Sequence, residues 1–196
     1  MSSLITPRAT LSYPFLAEPQ KDDKGKEKYS CALVFAKGTD LTALRNALVD
    51  AAKAKWGNKV KIGKVEYTIE EAIEKGKLRL PFRTDAEEKG YPAGSTFINV
   101  RSEKKPGAVF AWADETGRPA RIPQDKIAEE LYPGAIVRAS LSPFGYDREG
   151  NIGITFGLNN VQKLAEGERL DGRKAAEDEF TAELNEAPAA GLDDLK

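Results

Sequence analysis

The long strand pair near the end of the chain constrains the fold more than any other feature. Residues 135–146 and 151–158 read as two strands, and Asp-Arg-Glu-Gly at 147–150 is typical of a hairpin turn. The second strand carries apolar residues on one face and small or polar residues on the other: Ile152, Ile154, Phe156 and Leu158 against Gly153, Thr155, Gly157 and Asn159. This pattern predicts a hairpin with one buried face and one face that a backbone or a ligand can approach closely.

Further strands are predicted before this hairpin. Residues 4–16 are rich in β-formers but contain Pro7 and Pro14, which cannot donate to a ladder and therefore favour an edge or a bulge. A charged turn at 21–28 joins this segment to a buried strand at 29–36, so the two form a plausible hairpin. The remaining strands are predicted as a short pair within 60–69 and two strands at 96–101 and 108–113.

Helices and one long loop separate these strands. Thr39 or Asp40 can cap a helix that ends at Trp56, and shorter helices are predicted at 70–75 and 122–131. Residues 78–91 lack periodicity, and we predict a long loop that presents Phe82, Arg83 and Tyr91.

The order of elements predicts a mainly β chain, with an OB-fold-like Greek-key barrel of about five strands and one or two helices. Apolar content falls after Ala165. We therefore expect a binding domain at 1–173 and an acidic, disordered tail at 174–196.

Composition excludes several kinds of chemistry. The chain has no histidine and a single cysteine, Cys31, which removes Ser-His-Asp and Cys-His nucleophiles and the usual zinc sites. We expect no cofactor and no bound metal. There is no secretory signal pattern and no apolar run of about 18 residues, so we expect a cytoplasmic protein without a membrane partner.

The net charge of −1 conceals an uneven distribution. Residues 165–196 contain ten acidic and four basic residues, and the rest of the chain has five more basic than acidic residues. A basic body with an acidic tail is typical of proteins that bind polyanions, with the tail competing for the ligand.

Aromatic and basic residues alternate along the body, which is the combination that single-stranded nucleic acids require. Aromatic faces stack on bases, and cations contact phosphates. The candidates for stacking lie beside polar or loop residues: Tyr67, Phe82, Tyr91, Trp112 and Tyr146. The candidates for phosphate contacts are Arg83, Lys104, Lys105, Arg121 and Arg138.

Five short segments, in their order and spacing, resemble a family of tailed-phage proteins. They are Leu-Ser-Tyr-Pro-Phe-Leu at 11–16, Lys-Tyr-Ser at 28–30, Tyr-Pro-Gly at 132–134 with Val-Arg-Ala at 137–139, Gly-Asn-Ile-Gly at 150–153 and Leu-Asn-Asn-Val-Gln at 158–162. That family was first catalogued as a domain of unknown function and later assigned to single-stranded DNA-binding proteins with an OB fold. The resemblance implies a non-enzymatic protein that coats single-stranded DNA in phage replication or recombination. It also implies that an acidic tail recruits replication or recombination proteins, although this chain has Lys196 and no aromatic residue at that tip.

Two alternatives remain open from the sequence. A magnesium-dependent phage nuclease or resolvase would need acids such as Asp85, Asp114 and Asp147 to converge in one pocket. An interaction protein would instead capture a partner through the acidic tail.

Overall fold

A computed structural model describes residues 3–21, 25–148 and 150–172 of the chain. Its strands are β1 (Leu4–Ile5), β2 (Ala9–Lys21), β3 (Glu27–Phe35), β4 (Lys59–Ile62), β5 (Val65–Thr68), β6 (Thr96–Ser102), β7 (Gly107–Ala113), β8 (Pro119–Arg121), β9 (Ile136–Arg148) and β10 (Asn151–Ala165). The α-helices are α1 (Thr42–Trp56), α2 (Ile69–Glu74) and α3 (Ile127–Glu130). The prediction of a mainly β chain with a few helices is confirmed.

Five of the strands close into a ring. Strand β2 pairs with β3, β3 with β6, β6 with β10, β10 with β9, and β9 again with β2. The contact between β6 and β10 is parallel, through Arg101 and Gly157, whereas the other four pairings are antiparallel. The number of strands in this ring agrees with the predicted barrel of about five strands.

The long hairpin of β9 and β10 provides the longest strand pairing in this barrel. The two strands remain paired from Arg148 and Asn151 down to Ile136 and Ala165, so β10 is longer than the sequence predicted. The apolar face of β10 is buried, with Ile154 at 1% and Phe156 at 2% exposure. The predicted alternation is therefore confirmed, and the small-residue face of β10 points away from the core.

The predictions for the two prolines and for the helix ends agree with the structure to different degrees. The irregularity expected at Pro14 is present as a register shift between Ser12 and Phe15, and Pro7 falls in the gap between β1 and β2. The Asp40 carboxylate accepts a hydrogen bond of 2.9 Å from the backbone N–H of Thr42, where α1 begins. The helix predicted at 122–131 is shorter, because a 3₁₀ turn occupies 124–126 before α3.

The segment after β10, where the apolar content of the sequence falls, is attached to the body as far as Leu170. The hydroxyl of Tyr132 donates to Glu166 at 2.7 Å, and the backbone N–H of Leu170 donates to the carbonyl of Pro133 at 2.9 Å. Glu166 also pairs with the buried Lys163, 2.6 Å away. The predicted tail at 174–196 lies outside the described residues.

Candidate nucleic-acid interface

A groove of about 520 Å³ lies between β6 and the hairpin of β9 and β10. We call it the aromatic groove, because three aromatic side chains line it together with cationic and polar ones and a single acid: Phe144, Tyr146, Phe156, Lys28, Arg101, Arg148, Asn99, Ser102, Asn151, Thr155 and Glu103. Phe144 is 44% exposed, which is unusual for a large apolar side chain in a folded domain. Its ring is therefore available to a ligand.

Strand register explains how the two rings are held at the surface. Phe144 is paired with Thr155, and Tyr146 with Gly153, so each ring stands opposite a small residue on the same face of the sheet. A Cβ atom at Gly153 would collide with the Tyr146 hydroxyl and would lie 2.6 Å from Cζ of that ring. The glycine therefore makes the space in which the Tyr146 ring lies.

Two arginines flank these rings. Arg101 lies on β6 beside Gly157 of β10, and Arg148 is at the end of β9. Both are exposed, and neither forms an ion pair with a described residue. A guanidinium without a carboxylate partner can bind phosphate without first breaking an internal salt bridge.

A second groove, of about 840 Å³, lies further along β9 and β10, where residues of β7 and β8 also line it. We call it the basic groove, since its cations are Lys105, Arg118, Arg121 and Arg138 and no Asp or Glu is among its lining residues. The Arg138 side chain is oriented by a hydrogen bond of 2.6 Å from Nε to Oε1 of Gln162. Gln162 in turn donates to the carbonyl of Phe110 at 2.9 Å.

The turn that carries Arg118 is fixed by Asp114. Its carboxylate accepts hydrogen bonds from the Thr116 hydroxyl at 2.6 Å and from the backbone N–H of Arg118 at 3.2 Å. These bonds, above all that from Thr116, hold the pKa of Asp114 below its ordinary value. Asp114 is therefore an anion that orders the turn between β7 and β8 rather than a free acid.

Four of the ten residues predicted to bind nucleic acid lie in these grooves. Tyr146 lines the aromatic groove, and Lys105, Arg121 and Arg138 line the basic groove. Lys104 is exposed in the loop between β6 and β7 but lines neither groove.

Two aromatic side chains of the predicted loop at 78–91 are packed against the body rather than presented to solvent. Tyr91 is 8% exposed and donates a hydrogen bond of 3.1 Å to Ser12, so its ring is part of the core. The Phe82 ring is covered by Phe156 at 6.4 Å and by the Arg45 guanidinium at 4.4 Å. These contacts correct the prediction that the loop presents Phe82 and Tyr91, because apolar rings gain more from burial than from exposure.

The remaining three candidates line neither groove. Arg83 is exposed, but its guanidinium is engaged by Asp85 at 2.7 Å, and that hydrogen bond raises the pKa of Arg83. Tyr67 is half-buried on the separate hairpin of β4 and β5. Trp112 is 59% exposed, but one face of its ring is stacked on Phe110 at 3.9 Å.

Of the residues that line the aromatic groove, sequence reasoning predicted Tyr146 and missed the others, among them Lys28, Asn99, Arg101, Phe144 and Arg148. One of them carried a usable signal. Phe144 and Tyr146 are two residues apart on a strand, so they share a face, and the hairpin turn sets that face opposite Gly153 and Thr155. The residues that β3 and β6 contribute to this groove are brought there by strand pairing between distant segments, so no local sequence pattern pointed to them.

The acids considered for a nuclease do not form a metal site. Nowhere in residues 3–21, 25–148 and 150–172 do three or more Asp, Glu or Cys side chains come together in a way that could hold a metal ion. Asp85 is engaged by Arg83, and Asp114 by its own turn. Across the same described ranges, no helix is long and apolar enough to cross a membrane.

Comparison with known proteins places this geometry in a family. The family model described as "Enterobacter phage Enc34, ssDNA-binding protein" matches residues 2–190. No curated protein matches the sequence.

Solved structures with a similar fold include proteins of two bacteriophages. The single-stranded DNA-binding protein of bacteriophage Enc34 in complex with ssDNA has a TM-score of 0.61 at 22% identity, covering 86% of this chain and 89% of that chain. The same phage protein without a stated ligand gives 0.58 at 21% identity, covering 91% and 90%. The gp2.5 single-stranded DNA-binding protein of bacteriophage T7 gives 0.54 at 11% identity, covering 89% and 98%. At these identities the structures support the fold, and the family model identifies the chain, which belongs to the Enc34 single-stranded DNA-binding protein family.

Proposed function

We propose that this chain binds single-stranded DNA without sequence preference and protects or organises it during phage replication or recombination. The observation that carries the proposal is the pair of surface rings, Phe144 and Tyr146, set over small residues and flanked by Arg101 and Arg148. Stacking on a ring is available to every base, and a guanidinium contacts the phosphate that all nucleotides share. This combination favours a single strand, because a duplex does not expose the faces of its bases.

We assign the five-stranded ring to the OB type. Its sequence of pairings and the single parallel contact between β6 and β10 support this assignment. The aromatic groove then lies across β3, β6, β9 and β10, on the outer surface of the barrel. A concave β-surface lined by cations and rings is the type of site through which OB folds bind oligonucleotides.

We infer a non-enzymatic role, in the host cytoplasm if the chain is phage-encoded. The nuclease alternative needs carboxylates that converge on a metal, and two of the three acids considered for it, Asp85 and Asp114, are engaged elsewhere. Membership of a family of single-stranded DNA-binding proteins also supports a binding role rather than a catalytic one.

The acidic tail is a further part of the proposal. The seven acidic residues between 177 and 194 would compete with phosphates for the cations of the body. Removing residues 175–196 should therefore tighten the binding of single-stranded DNA at low salt and have little effect at high salt. An unchanged affinity at low salt would exclude this competition.

The proposal is tested by fluorescence anisotropy with a dye-labelled oligo-dT, an unlabelled duplex competitor and a salt series. A dye on the DNA is the better probe, since Trp56 and Trp112 line neither groove. We expect a tight complex with the single strand, weak competition by the duplex, and an affinity that falls steeply with salt. Binding that is insensitive to salt, or the absence of a complex, would refute the proposal.

A further inference from the structure

We propose that the basic groove is a second segment of the DNA path, in which the strand is held by its phosphates after its bases have stacked in the aromatic groove. This inference rests on the proposed function and extends it. The basic groove has four cations and no carboxylate in its lining, and none of the four forms an ion pair with a described residue. The positive potential of this surface is therefore not neutralised from within the described body.

The two grooves adjoin along the chain. Glu103 lines the aromatic groove, and Lys105, two residues later, lines the basic groove. On β9, Ser140 lines the basic groove and Phe144 the aromatic groove, four residues apart, which corresponds to about 13 Å along a strand. A single strand that leaves one groove can thus enter the next within a few nucleotides.

On the β9 and β10 side the surface between the grooves is polar, and the carboxylate of Glu103 lies on the opposite side, where β6 ends. The outward residues of the paired strands here include Ser140, Ser142, Asn159 and Asn160, and Asn159 donates a hydrogen bond of 2.8 Å to Ser142. Small hydroxyl and amide side chains can hydrogen-bond to sugars and phosphates without repelling them. The path is therefore chemically continuous from Tyr146 to Arg138.

The two segments should recognise different parts of the DNA. The aromatic groove offers rings for bases, whereas the basic groove is lined by cations and small aliphatic residues and contains no aromatic side chain among its lining residues. Phe110 is buried and Trp112 lines neither groove. Binding in the basic groove should therefore depend on the phosphate backbone alone and should require an oligonucleotide long enough to reach it.

The test compares short and long oligo-dT ligands, from about 4 to about 16 nucleotides. The variant Arg118→Gln/Arg121→Gln removes two exposed cations of the basic groove. The matched control, Lys61→Gln/Lys64→Gln, removes two exposed cations from the hairpin of β4 and β5, outside both grooves. Both proteins keep the full chain, and thermal unfolding checks that each is folded.

The expected loss follows from counterion release. Each phosphate contact to a single strand contributes about 0.7 to the slope of log K against log salt, so the double variant should lower that slope by about 1.4. At 0.1 M salt this corresponds to an affinity about 25-fold weaker for long oligonucleotides, with the loss disappearing near 1 M. The shortest oligonucleotides, which fill the aromatic groove alone, should bind the variant and the unmodified chain equally.

The outcomes separate this inference from the function on which it rests. A loss confined to long oligonucleotides, absent in the control variant, supports the path. An equal loss at all lengths, no loss at any length, or tighter binding to the variant (as expected if the groove holds the chain's own carboxylates) overturns it while leaving single-strand binding intact. Failure of the unmodified chain to bind any oligo-dT overturns both.

Discussion

Replacing the rings of the aromatic groove should weaken single-strand binding without changing its salt dependence. The variants Phe144→Leu and Tyr146→Leu remove a flat π-face but keep an apolar side chain of similar reach. Trp112→Leu is the matched control, because Trp112 is 59% exposed but lines neither groove. The three variants thus compare aromatic residues that differ in position: two in the aromatic groove and one outside both grooves.

The magnitude follows from the energy of stacking. One base stacked on one ring contributes about 1–3 kcal/mol, so each groove variant should raise Kd by about 5-fold to about 150-fold. The slope of log K against log salt should stay constant, since no charge is removed. The fold should tolerate Phe144→Leu well, because 44% of the Phe144 surface is already exposed and the new residue retains the apolar contacts of the stem.

The assay is the anisotropy titration at several salt concentrations, with thermal unfolding of each variant as the control for folding. We expect Trp112→Leu to bind within about twofold of the unmodified chain, a change of at most about 0.4 kcal/mol. The reasoning is refuted if both groove variants bind normally, or if Trp112→Leu loses as much affinity as they do.

Two further predictions concern packing around the site and the attachment of the C-terminal segment. Gly153→Ala should weaken binding, since its Cβ would displace the Tyr146 ring. Gly157→Ala should have a smaller effect, because its Cβ would make only an ordinary contact of 3.7 Å with the Phe144 ring; the same titration compares the two variants. The hydrogen bond from Lys163 holds the pKa of Glu166 below its ordinary value of about 4.3. The ion pair should therefore stabilise the fold above that pH, and this contribution should be lost as the pH falls through the lowered pKa of the folded state. Urea unfolding from pH 3 to 7 should show this loss in the unmodified chain and a smaller one in Lys163→Met; equal pH dependence in both would contradict the assignment.

Local sequence patterns predicted the elements that depend on local periodicity. The alternation in β10 and the hairpin that joins it to β9 are properties of neighbouring residues, and the structure confirms both. The ring closure could not be predicted in the same way. Strand β10 lies parallel to both β6 and β7, which are far from it in sequence, and such pairings depend on the whole chain.

The site was harder to predict than the fold, because an aromatic residue beside an arginine looks the same in a core and in a groove. Phe82 precedes Arg83, yet its ring is covered by Arg45 and Phe156. Phe144 has no such cover and instead faces Thr155 across the sheet. The two rings differ in the residues that lie against them in the fold. Those residues are distant in sequence, so the segments around Phe82 and Phe144 do not identify them.

The central claim is that single-stranded DNA lies on the outer face of β9 and β10, and photo-crosslinking tests it most directly. An oligo-dT carrying a photoreactive base is irradiated with the full-length chain, and the modified peptides are mapped by mass spectrometry. We predict adducts on Phe144 or Tyr146, reduced by an excess of unlabelled single strand and little affected by duplex. Adducts that map instead to Trp112, Tyr67 or Tyr13, with none between 138 and 162, would contradict the claim.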